Sequence, residues 1–213
     1  YLIGVQTLNG TNLINNNIIR KISSASSNTS ASVIGISQTS TTAGQTISGN
    51  TIDSLSNTHA SAAVHVYGIY YSGPTGGTNT VKSNFIRHLT AASSSVSATI
   101  RGISIDAGVS TYSNNIILLG KGLTTCYIIH GMYEKGAASN NNNLYFNTVY
   151  LEGAPTDGTY TAALYSHATT NTRNFRNNIF HNARSRSAGT SKHYAAYFNY
   201  AVNTNLTLNY NNY

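Results

Sequence analysis

Apolar residues return along this chain in short β-type runs on a fixed schedule. An Asn followed by a branched or aromatic pair recurs as Asn17-Ile18-Ile19, Asn50-Thr51-Ile52, Asn84-Phe85-Ile86, Asn115-Ile116-Ile117, Asn147-Thr148-Val149 and Asn178-Ile179-Phe180. Asn212-Tyr213 reads as a truncated copy, and neighbouring copies are 33, 34, 31, 32, 31 and 34 residues apart. A second landmark follows each Asn: Gly35-Ile36-Ser37, Gly68-Ile69-Tyr70, Gly102-Ile103-Ser104, Gly131-Met132-Tyr133, Ala163-Leu164-Tyr165 and Ala196-Tyr197-Phe198, with Gly4-Val5-Gln6 opening the chain. No stretch holds a 3.6-residue apolar period, and Ser-, Thr- and Gly-rich segments punctuate the runs, so each repeat reads as strands and turns.

Repeats of this length, made of short strands, predict one parallel β-solenoid over residues 1–213, because a single coil cannot bury its own apolar face but stacked coils can. A propeller blade would need four antiparallel strands with hairpin turns, and no regular Asn-Gly or Asp-Gly turns are present. Equivalent residues of stacked coils lie ~4.8 Å apart. Asn17, Asn50, Asn84, Asn115, Asn147 and Asn178 are therefore expected to form a ladder, each amide donating to the next carbonyl. Asn also tolerates the left-handed backbone that a sharp corner needs. Around the Gly landmark the inward parity is ambiguous: Ile100-Gly102-Ser104 competes with Arg101-Ile103-Ile105, and a bend at the glycine would resolve both.

The Asn and Gly landmarks together resemble the right-handed parallel β-helix repeat found in pectate lyases, polygalacturonases, phage tailspikes and many bacterial surface proteins. The segments 143–151 and 173–185 resemble parts of large secreted repeat proteins of Bacteroidota-type bacteria. The resemblance implies an all-β helix of about six coils and an extracellular or cell-surface setting.

Composition adds little that is specific. Only 8% of the 213 residues are charged, and 12 Lys and Arg face 5 Asp and Glu for a net charge of +7. This permits attraction to acidic polysaccharide without demanding it, and no nucleic-acid-binding motif stands out. The lone Cys126 excludes an internal disulfide and reads as a small buried residue. Pro74 and Pro155 fall between predicted strands. No apolar run is long enough to span a membrane as a helix. The chain starts in mid-repeat and shows no capping helix, so the expected unit is a fragment of something larger or a stackable piece. Its expected partners are flanking repeats or a second copy docked end to end.

Candidate chemistry is sparse. Glycan hydrolysis needs paired carboxylates, and Asp53, Asp106, Glu134, Glu152 and Asp157 are scattered in repeat phase. Asp106 and Glu134 are near neighbours, but one residue of phase difference is expected to put them on opposite faces, as isolated surface acids. The seven His residues lack metal-ligand spacing. No catalytic residue, metal site or cofactor is expected. Tyr70, Tyr133, Tyr165 and Phe198 share one repeat position with Ser37 and Ser104, and could stack on sugar rings or close one corner as a buried aromatic stack. Arg173, Arg176, Arg184, Arg186 and Lys192 gather in the last full repeat, as a site for an acidic glycan or partner or as a solvated basic end. Ice binding would want a flat Thr array, and Thr39, Thr41 and Thr42 do not recur. The leading expectation is a non-enzymatic structural or adhesive solenoid, with a carbohydrate-binding or lyase-like β-helix as the alternative.

Overall fold

The computed structural model describes residues 1–124, 128–136, 141–154, 160–185, 192–199 and 204–213. Cys126, Pro155, Asp157 and Arg186 lie outside the described residues. The architecture is the expected parallel β-solenoid of about six turns, with three sheets running along its axis. Among the described residues no helix is long and apolar enough to cross a membrane.

Strands are numbered in chain order. Sheet A comprises β1 (Leu2–Thr7), β4 (Ala31–Gln38), β7 (His65–Ser72), β10 (Thr99–Ala107), β13 (Ile128–Glu134), β16 (Thr161–Ser166) and β19 (His193–Phe198). Sheet B comprises β2 (Leu13–Asn15), β5 (Thr46–Ser48), β8 (Thr80–Lys82), β11 (Ser110–Ser113), β14 (Asn142–Tyr145), β17 (Arg173–Arg176) and β20 (Leu206–Asn209). Sheet C comprises β3 (Ile18–Ser24), β6 (Thr51–Asn57), β9 (Phe85–Ala91), β12 (Ile116–Leu119), β15 (Thr148–Leu151) and β18 (Ile179–Asn182).

Register turns the sequence repeat into columns. Sheet A stacks Val5, Ile36, Ile69, Ile103, Met132 and Leu164. Sheet B stacks Ile47, Val81, Tyr112, Leu144 and Phe175. Sheet C stacks Ile19, Ile52, Ile86, Ile117, Val149 and Phe180. These columns meet in one continuous core. Each fully buried branched side chain contributes about 1.5–3 kcal/mol.

The glycine bend resolves the parity conflict in β10: Ile100, Ile103 and Ile105 are all interior, on either side of Gly102. A Cβ on Gly102 would lie 2.5 Å from Ile117 Cγ2 and 2.6 Å from the Gly131 carbonyl, so a side chain there would push sheets A and C apart. In the last coil, pairing of Thr161 with His193 and Leu164 with Ala196 places Ala195, not Ala196, at the landmark. The aromatic in phase with Tyr165 is then Tyr197, while Phe198 packs against the core.

The Asn ladder is continuous. Each Nδ2 donates at 2.9 Å to the next Oδ1 through Asn17, Asn50, Asn84, Asn115, Asn147 and Asn178. Its terminal member is Asn211, which accepts from Asn178, while Asn212 bridges Ile179. The left-handed corner residue is not the ladder Asn but its predecessor: Asn16, Gly49, Ser83, Asn114, Phe146, Asn177 and Tyr210 have φ between 53° and 65°. That turn aims the following carboxamide inward, where it also donates to the sheet B carbonyl one coil back, as Asn84 does to Ile47.

Candidate functional site

The outer face of sheet A carries the densest chemistry, in two columns set by register. One reads Ile3, Ile34, Tyr67, Arg101, His130, Ala162, Tyr194. The other reads Gln6, Ser37, Tyr70, Ser104, Tyr133, Tyr165, Tyr197. The first two coils are thus low, rings rise in the third, and after Arg101 and Ser104 in the fourth they return from the fifth onward. A groove of about 330 Å³ occupies the step, floored by Ile3, Gln6, Ile34 and Ser37, walled by Tyr67 and Tyr70 and edged by Tyr1 and Ser30. Those two rings lie nearly parallel, 6.2 Å apart at 10°.

Beyond the step the face is closed by its own rings. Tyr133 and Tyr165 stack at 5.6 Å, and Tyr165 is only 3% exposed, covered by Tyr160 and Tyr197. Tyr165 therefore offers no platform to a ligand, whereas Tyr70 and Tyr133 are half-buried. Arg101 lies 3.4 Å from the Tyr133 ring centre and 5.2 Å from that of Tyr67. Its Nη1 donates to Ser104 Oγ, which donates to Asp106, and Lys135 lies 3.4 Å from the same carboxylate. Burial pushes the Tyr67 phenol up to about 12 despite Arg101.

His130 sits beneath this cluster, stacked on Tyr133 at 5.4 Å and Tyr165 at 4.5 Å, with neither ring nitrogen hydrogen-bonded. Burial, reinforced by Arg101 and His167, holds it well below the usual imidazole range. Sequence reasoning missed Tyr67, Arg101 and His130 because the glycine bend separates their column from the landmark phase. The signal was present as a residue at a fixed offset of one before each Gly.

Among the described residues, the expected basic cluster does not assemble. Arg173 is fully buried inside the solenoid, and Arg184 is buried with Nη1 on the Glu152 carbonyl at 2.9 Å. Arg176 is exposed at the end of β17 in sheet B, and Lys192 is exposed just before β19 in sheet A. Two buried guanidiniums and two cations on different sheets cannot form one contact surface.

The acids are also apart. Asp53 lies on sheet C with Arg87 at 3.1 Å and His88 at 2.8 Å. Glu134 pairs in register with Ile105 and so points inward, while Asp106 points out, as the phase difference anticipated. Glu134 is nevertheless no surface acid: it is 1% exposed. It accepts from Asn142 Nδ2 at 3.1 Å and Ser166 Oγ at 2.5 Å, and Arg173 Nη1 donates to the same Ser166 at 3.2 Å. Burial raises the Glu134 carboxyl against these opposing bonds and the Arg173 charge. The network lies wholly inside the core and stitches neighbouring coils.

Among the described residues no group of three His, Cys, Asp or Glu could hold a metal ion. No family model, curated protein or solved structure matches the chain.

Proposed function

We propose that the chain is a rigid, non-catalytic β-solenoid of structural and adhesive type, which holds glycan chains against the outer face of sheet A. The observation that carries this reading is the accessible part of that face, where the half-buried Tyr70, Arg101 and Tyr133 adjoin the groove walled by Tyr67 and Tyr70. Sheet B presents mainly Thr, Asn and Ser at its outward positions. Aromatic rings over a flat, rigid sheet suit the apolar faces of sugars, and their phenols suit the hydroxyl edges. The dispersed acids favour binding over hydrolysis: Asp53, Asp106 and Glu134 lie on sheet C, on sheet A and in the core. The setting that goes with this reading is extracellular or cell-surface, as in the secreted Bacteroidota-type repeat proteins that the segments 143–151 and 173–185 resemble. Flanking coils or a second copy are the natural partners along the axis.

The test is co-sedimentation of the purified chain with a panel of insoluble neutral and acidic polysaccharides, with the supernatant assayed for released and unsaturated products. Retention without product is expected, and Tyr133→Ala should weaken it several-fold. Retention of the chain by none of the polysaccharides sinks the glycan reading, and product release sinks the non-catalytic one.

A further inference from the structure

The groove at the step of sheet A has a narrower chemistry than the face as a whole. Its floor alternates apolar and polar groups, with Ile3 and Ile34 in one column and Gln6 and Ser37 in the other. Its wall is the near-parallel pair Tyr67 and Tyr70. None of these side chains carries a charge. The cation beside this wall, Arg101, is committed to the Tyr133 ring and to Ser104, and Asp106 stands against it through that serine. A volume of about 330 Å³ lies at the small end of ligand sites, enough for one or two sugar rings.

We propose that this groove is the subsite for an uncharged pyranose, resting on the glycan-binding reading of the same face. A pyranose ring has C–H faces that pack on Ile34 and the tyrosine rings. Its equatorial hydroxyls reach Gln6, Ser37 and the phenols. A uronate would bring a carboxylate against side chains that offer it no cation, the lining's one positive group being the α-ammonium of the exposed Tyr1 at the rim, so most of its desolvation would go uncompensated. The register also explains why the groove exists: Ser37 occupies the position that Tyr70, Tyr133, Tyr165 and Tyr197 fill in other coils.

That substitution pattern supplies the test. Ser37→Tyr places in the second coil a ring that the same column already carries, and so fills the groove without a new demand on the fold. Tyr70→Ser removes one wall and reproduces what Ser104 already is. Wild type and both variants are titrated calorimetrically with cellohexaose, laminarihexaose, maltohexaose and hexagalacturonate, after circular dichroism and thermal unfolding confirm unchanged folds. At least one neutral hexasaccharide should bind wild type, with Ser37→Tyr and Tyr70→Ser each weakening it tenfold or more and hexagalacturonate binding more weakly. Neutral-sugar affinity unchanged in Ser37→Tyr overturns the subsite. Binding of hexagalacturonate alone also overturns it and leaves the broader glycan reading intact. If neither these oligosaccharides nor the polysaccharide panel binds, both fall together.

Discussion

At the residue scale, the most exposed consequence of this fold is His130. Its imidazole is 2% exposed, lies among Tyr133, Tyr160 and Tyr165, and has no hydrogen-bond partner. Its folded pKa is pulled well below 6.5, chiefly by burial. The unfolded chain therefore takes up a proton as pH falls through about 6.5, while the folded chain does not. Stability is full above that value and is lost below it, by about 1.4 kcal/mol per pH unit for this one group. His65 and His167 are shifted in the same direction and add to the slope. Urea midpoints at pH 5 and pH 7.5 should show the loss, and His130→Phe should reduce it by about one proton's worth. An unchanged pH slope in that variant would place the buried titration elsewhere. Little of this was legible in the sequence. One His among seven has no distinguishing neighbour, and Arg173 reads as a surface cation until register turns its position inward.

At the element scale, the corner between sheets B and C is the most repeated device. A left-handed residue turns the chain and the following Asn is buried as a ladder rung. Asn115 Oδ1 accepts both from the Asn84 backbone and from its Nδ2, while its own Nδ2 donates to Val81 and Asn147. Asn115→Ala leaves two buried donors without an acceptor, at about 1–3 kcal/mol each. The expected loss is about 3 kcal/mol in chemical unfolding. Asn17→Ala, at the exposed end of the ladder, removes one donor and should cost about 1 kcal/mol. Equal losses at the two positions would contradict a cooperative buried ladder. The rung was legible because its spacing is fixed, but its left-handed neighbour was not, since that position is Asn, Gly, Ser, Phe or Tyr. The last coil slipped by one for a related reason. Ala195-Ala196 and Asn211-Asn212 each offer two equivalent readings, and only strand pairing separates them. The polar network at the corner between sheets A and B was invisible because Gln45, Asn79, Ser110, Asn142 and Arg173 share a place filled by four residue types.

At the scale of the whole molecule, parallel stacking leaves β1, β2 and β3 at one end, and β19, β20 and the bridge at Asn212 at the other. The two ends are complementary in kind. Leu2, Leu13 and Ile18 are exposed at the first, Leu208 and Tyr213 at the second, and the ladder runs in one direction between them. Open strand edges pair with other chains. The purified 213-residue chain is therefore expected to associate head to tail as concentration rises. Negative-stain electron microscopy and sedimentation velocity should show unbranched filaments, whereas a strictly monomeric chain at high concentration would refute self-docking. The single direction of the ladder also bears on mechanical load. A pull on the two termini acts along the axis, across the hydrogen bonds that join successive coils, so coils at an end can peel off one at a time. Each carries 31–34 residues and releases on the order of 100 Å of slack. A rod roughly 29 Å long, at ~4.8 Å per coil, thus stores about 700 Å of contour. Pulled by its two ends, such a rod is expected to lengthen coil by coil, so that the load stays low while coils remain to unwind.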